Sequence, residues 1–234
     1  MPVSSLATAT LRTAFLVVLG VLYLGVAVTS AQEGRKDAMG DQLLEAVAEG
    51  DAASVRELLA ASTSTDARDA SGRTALLLAT RADNLEIARL LIEAGADVNA
   101  KDGMEDTPFL YAGAEGRNEI LKLILQHGPK LDDTNRYGGT ALIPAAHHGH
   151  PETVSLLLAA GVDVDHVNKL GWTALLEAVI LGDGGPTYVK IVELLLGGGT
   201  DWRIADREGV TALGHARRRG FQDIAARLQA AAGG

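Results

Sequence analysis

Apolar and polar positions along this chain alternate in two helical registers that return at a fixed interval. A threonine opens a short run of apolar and small residues five times: Thr74-Ala-Leu-Leu-Leu-Ala79, Thr107-Pro-Phe-Leu-Tyr-Ala112, Thr140-Ala-Leu-Ile-Pro-Ala145, Thr173-Ala-Leu-Leu-Glu-Ala178 and Thr211-Ala-Leu-Gly-His-Ala216. The intervals are 33, 33, 33 and 38 residues. Each threonine is expected to cap a first helix by accepting an amide hydrogen bond, and the next position tolerates proline, as Pro108 shows. Ala79, Ala112, Ala145, Ala178 and Ala216 keep that helix thin, so neighbouring units can approach closely. A second helix is predicted from the stripes Ile87-Leu90-Leu91, Ile120-Leu123-Ile124 and Ile191-Leu194-Leu195. Gly116, Gly149, Gly182 and Gly220 are expected to turn the chain between the two helices, with Asp83 in that place once. Gly95, Gly128, Gly161 and Gly199 end the second helices.

The returning segments are rich in Asp and Asn, whose side chains hydrogen-bond local backbone and favour turns. They read Ala96-Asp-Val-Asn-Ala-Lys-Asp102, Val162-Asp-Val-Asp-His-Val-Asn168 and Thr200-Asp-Trp-Arg-Ile-Ala-Asp206. Period and phrase together resemble the ankyrin repeat, and the chain is similar to an exported, bacterial-type member of that family from Asp41 to about Gly234. The resemblance implies an all-α solenoid of stacked helix-turn-helix units with β-hairpin-like loops. Six units are expected, at about 41–68, 69–101, 102–134, 135–167, 168–205 and 206–234, with the first and last as caps. The chain departs from the family pattern where a histidine commonly follows Thr-Pro-Leu, having Leu77, Leu110, Ile143, Leu176 and Gly214 instead. Apolar packing is expected to replace the hydrogen bonds attributed to that histidine. A second departure, the five-residue lengthening Asp183-Gly-Gly-Pro-Thr187, reads either as a neutral loop extension or as a projection toward a partner.

Ahead of the repeats, Ala14 to Val28 form an apolar run preceded by Arg12 and followed by Thr29-Ser30-Ala31. This is the layout of a secretory signal peptide over residues 1–31, cleaved after Ala31, with 32–40 as a linker. The run is short for crossing about 30 Å of hydrocarbon, where about 20 residues are needed, although an uncleaved anchor stays an alternative. Cleavage would take the formal charge from −9 to −10 by removing Arg12. A periplasmic or secreted, acidic product without a membrane attachment is expected.

Composition adds exclusions. Apolar residues make up 47% and aromatic ones only 4%, which suits thin helices packed through Leu, Ile, Val and Ala. A negative net charge argues against nucleic-acid binding, and the basic run Arg217-Arg218-Arg219 reads as a solvated capping face. Cysteine is absent, so thiolate and disulfide chemistry are excluded. No phosphate loop, dinucleotide motif, zinc-protease helix or nucleophile elbow occurs, and no enzyme or cofactor is expected. The best metal candidate is His147-His148-Gly149-His150, but adjacent helical positions point about 100° apart, which is poor spacing for a shared ion.

Function is therefore expected on the concave face that the resemblance implies, as a non-catalytic module binding a protein partner, with the chain acting as a monomer. Positions that the repeat leaves free flank the turn Asp or Asn, lie between Gly and Thr, or precede the inter-helix Gly. They hold Met104, Arg136, Tyr137, His147, His148, Lys169, Leu170, Trp172, Ile180 and Leu181, the candidate partner-binding residues. Tyr137, Leu170, Trp172, Ile180 and Leu181 are predicted to form an apolar patch rimmed by charge. Self-packing of Tyr137 and Trp172 against neighbouring hairpins is the competing account. Trp202, in a place where other units have Val98 and Val164, is expected to be buried between units. The rival functions are a metal-dependent or small-ligand protein using the central histidines, and an effector acting on host proteins.

Overall fold

The computed structural model describes residues 38–233. The apolar run at 14–28, the expected cleavage at Ala31 and most of the linker lie outside the described residues. Helices come in six pairs: α1 (38–49) with α2 (Ala52–Ala60), α3 (Ala75–Arg81) with α4 (Leu85–Glu93), α5 (Pro108–Ala114) with α6 (Asn118–Leu125), α7 (Leu142–His147) with α8 (Pro151–Ala160), α9 (Ala174–Leu181) with α10 (Pro186–Gly197), and α11 (Ala212–Arg219) with α12 (Gln222–Ala232). From α3 onward the first helices stack on one another, as do the second helices from α2 onward, which makes a two-layered solenoid. Among the described residues there are no strands, only isolated antiparallel bridges at Arg68–Thr74 and Ala205–Thr211 where hairpins close.

The core is a continuous strip between the layers. Ala79, Ala112, Ala145, Ala178 and Ala216 are all buried at the layer boundary, where a larger side chain would push the helices apart. Leu77, Leu110, Ile143 and Leu176, at the place of the family's histidine, are also buried. Each supplies about 1.5–3 kcal/mol by leaving water, so packing replaces hydrogen bonding there. Across the hairpins, Asp69, Asp102, Asn135, Asn168 and Asp206 repeat one device: Oδ1 accepts the backbone N–H groups two and four residues ahead. This closes the loop before every threonine.

Four of the five threonines cap as expected. Thr74, Thr107, Thr173 and Thr211 each accept the N–H three residues ahead through Oγ1. Thr140 does not cap, and its buried Oγ1 has no partner. The reason is Pro144. In the other units the N–H four residues ahead donates to the threonine carbonyl, as Tyr111 does to Thr107 at 2.9 Å. Proline has no N–H, so Ile143 donates to the Thr140 carbonyl instead, at 3.2 Å, and α7 starts late, at Leu142.

Gly182 also departs from expectation. Its backbone is extended, at φ −68° and ψ 170°, and the left-handed turn has moved to Gly184 at φ +76°. A Cβ at Gly182 would meet the Ala178 carbonyl at 2.3 Å and the Tyr188 ring at 2.4 Å, so close approach is what requires glycine. The lengthened loop is packed on both sides. Gly184 lies against the Phe221 ring of the next unit, and the Tyr188 hydroxyl donates to the His147 carbonyl at 2.7 Å in the preceding one. Trp202 is half-buried against the core with Arg203 over its ring, so it covers the strip's edge and does not lie fully between units.

Candidate functional site

The concave side of units three to five holds a groove of about 380 Å³. Three stacked first helices, α5, α7 and α9, meet the hairpins of units four and five there. Of the residues singled out from sequence, Arg136, Tyr137, His147, His148, Leu170 and Leu181 line it. Tyr137, Leu170 and Leu181 are exposed at 54%, 48% and 42%, an unusual state for three apolar groups around one depression.

The other four lie elsewhere. Met104 is exposed on the third unit's hairpin. Lys169 ties hairpins together, its N–H donating to the Tyr137 carbonyl and its Nζ to the Arg136 carbonyl, both at 2.9 Å. Trp172 and Ile180 are half-buried and pack against the core strip. The expected five-residue apolar patch is therefore divided: Tyr137, Leu170 and Leu181 line the groove, while Trp172 and Ile180 support the scaffold.

The lining residues that were not singled out from sequence include Asp106, Tyr111 and Glu177. Tyr111 and Glu177 stand four residues after their threonines, where the five units read Leu78, Tyr111, Pro144, Glu177 and His215. That variability, beside the near-constant alanine one step on, is the signal that marks the position. Asp106 occupies the place between Gly and Thr, where the turn glycine itself is replaced by Glu105 at φ +66°.

Glu177 is the most deeply placed charge in the groove, with its side chain 9% exposed. Oε1 accepts from Asn168 Nδ2 at 2.8 Å. Among the described residues Oε2 accepts no hydrogen bond, and His147 Nδ1 stands off at 3.7 Å. Burial pushes the Glu177 carboxyl above its ordinary value, against the Asn168 hydrogen bond that favours the charged form. Burial pushes His147 below its ordinary value, helped by neighbouring His148, so its imidazole does not bring a positive charge to Glu177 at neutral pH. Asp106 is raised chiefly by burial and by Asp102, but Arg136 and Arg81 oppose this. Those two guanidiniums lie over Tyr137 and Tyr111, 4.8 and 4.6 Å from the ring centroids.

The histidines have separate duties. His148 Nδ1 donates to the Ala114 carbonyl at 2.7 Å, and His166 Nε2 to the Gly138 carbonyl at 2.7 Å. The His150 ring sits against Gly116, where a Cβ would come within 2.9 Å of Nδ1. Among the described residues no group of three or more His, Asp or Glu is placed to hold a metal ion. No helix among them is long and apolar enough to cross a membrane.

Paired helices stacked around a strip core, with side chains from successive units converging on one open face, define a tandem-repeat solenoid of the interaction type. The family model for ankyrin repeats (3 copies) matches residues 43–135 and 109–197. The chain belongs to the ankyrin-repeat family, whose members are generally protein-interaction modules. It is similar to a crystallised ankyrin repeat domain from Acinetobacter baumannii AYE, at 56% identity and TM-score 0.79, over 81% of this chain and 97% of that one. It is also similar to the ankyrin repeat protein EF0377, at 44% identity and TM-score 0.79, over 82% of this chain and 97% of that one. A search of curated proteins found no match.

Proposed function

We propose that this protein is a non-catalytic binding module of the cell envelope, periplasmic or secreted, that holds, shields or inhibits a partner protein through its concave groove. The observation that carries the reading is the convergence of exposed Tyr137, Leu170 and Leu181 on a depression built by three units. Stacking does not require large apolar groups at those positions, because the strip core is already closed beneath them. Exposed aromatic and aliphatic anchors around a pocket are where binding energy concentrates. Export is supported by the apolar run ahead of Thr29-Ser30-Ala31.

The test is crosslinked capture from the native compartment, comparing the native chain with Y137A/L170A. Both side chains are exposed, so stability is expected to stay within about 0.5 kcal/mol, while capture is lost. Undiminished capture would move the interface off this groove. Mass determination of the mature N-terminus, expected at Gln32, checks export separately.

A further inference from the structure

Of the three acidic residues that line the groove, Asp106, Glu115 and Glu177, the first and last are not equivalent. Asp106 has positive charge from this chain nearby, with Arg136 and Arg81 both acting on it. Among the described residues no lysine or arginine acts on Glu177; the charge that does is the His148 imidazole, which favours the ionised form but is outweighed by burial. Its Oε2 is unbonded within a side chain more than nine-tenths buried, and Glu177 is among the residues whose surfaces line the groove. A carboxylate drawn out of water without a cation hydrogen-bonded to it is costly, and a cation arriving with good geometry offsets that cost. Asn168 fixes Oε1, so the group is pre-oriented with one oxygen left to receive a donor.

We infer that the Glu177 end of the groove is a receptor for a single basic side chain of the protein partner, arginine in preference to lysine. This rests on the groove being the partner-binding face. Shape and surroundings favour arginine. The groove is open and partly apolar, with Tyr137, Leu170 and Leu181 at its exposed margin, which suits a long aliphatic stem ending in a flat head. A guanidinium is less strongly hydrated than an ammonium, and its forked donors match a carboxylate edge. Arg136 and Arg81 over their tyrosine rings show that guanidinium–ring contact is already used on this face. Of the two neighbouring imidazoles, burial pushes His147 toward its uncharged form, and His148 Nδ1 is already engaged by the Ala114 carbonyl, so neither occupies Oε2.

The test is titration of the full isotope-labelled chain with N-acetyl-arginine methylamide, followed by NMR. The uncharged citrulline analogue and N-acetyl-lysine methylamide serve as comparisons. Saturable shifts at Tyr111, His147 and Glu177 are expected with the arginine probe, about tenfold weaker with citrulline and intermediate with lysine. E177Q, which keeps the hydrogen bond from Asn168, is expected to weaken the arginine probe about tenfold while the chain stays folded. Equal responses to arginine and citrulline, or no change in E177Q, would overturn the inference. Capture that survives E177Q but is lost in Y137A/L170A would also overturn it, and would leave the groove reading standing.

Discussion

Units five and six put a hydrogen-bonded polar pair at the same two positions, a turn residue and the helix residue nine further on. In unit six the pair is Asp206 with His215, where Nε2 donates to Oδ2 at 2.6 Å. In unit five it is Asn168 with Glu177, where Nδ2 donates to Oε1 at 2.8 Å. Unit six places its negative charge in the turn, where the Val210 N–H, then the His215 imidazole and the Glu208 N–H, hold Asp206 below its ordinary value against burial. Unit five has a neutral amide in the turn and moves the charge onto the helix. There it faces the groove, half-satisfied, and burial holds it above its ordinary value. One frame thus serves as a self-contained cap in one unit and as an unfinished site in the next. A buried charge that is only half-satisfied costs stability, which is a reason to read Glu177 as retained for binding.

The strongest way to break this comparison is to move one pair into the other's place. N168D alone sets two carboxylates side by side and should destabilise the chain by about 3 kcal/mol; N168D/E177H rebuilds the unit-six pair and should recover most of that loss. Chemical denaturation of the four-member cycle measures it, and additive effects would show that the two positions are not coupled. A second change separates scaffold from site within unit five. W172A opens the edge of the core strip and should cost about 2–3 kcal/mol, whereas Y137A should change stability by less than about 0.5 kcal/mol. Similar melting losses for both would return Tyr137 to the scaffold.

The cap threonines give a smaller contrast. T173A removes a hydrogen bond to Leu176 N and should cost about 1 kcal/mol, while T140A removes a hydroxyl that has no partner and should be neutral or stabilising. The smallest expected effects are in pH dependence, and their signs oppose. Glu177 is raised in the folded state, so its contribution is present below the unfolded value near 4.5 and is lost as pH rises through the folded one. Asp206 is lowered, so its contribution is present above the unfolded value near 3.8 and is lost as pH falls through the folded one. E177Q should be relatively more favourable at pH 7 than at pH 4, and D206N relatively less favourable at pH 7 than at about pH 2.5. Parallel pH profiles for the two variants would remove the distinction between the units.

Helix pairs, turn positions and the small-residue boundary were legible because each depends on spacing within about 33 residues. The same local logic misplaced two details. Thr140 looked like the other threonines, but Pro144 withdrew the N–H that lets the first turn form. Gly182 looked like the other inter-helix glycines, but the added residues moved the left-handed turn to Gly184 and left Gly182 beneath Tyr188. The groove was partly legible as well. Residues flanking the turns led to Arg136, Tyr137 and Leu170, while Glu177 was hidden within a helical phrase that reads as packing.

By itself the sequence determined a stack of paired helices and the face on which variable side chains gather, since both follow from a periodicity that one unit and its neighbour already contain. Only the tertiary structure decided which of those side chains share a space. Tyr111, His147 and Glu177 come from three successive units, and their meeting depends on how the helices pack across the strip. It also decided that Trp172 supports the fold while Tyr137 stays exposed, because burial is a property of the assembled stack.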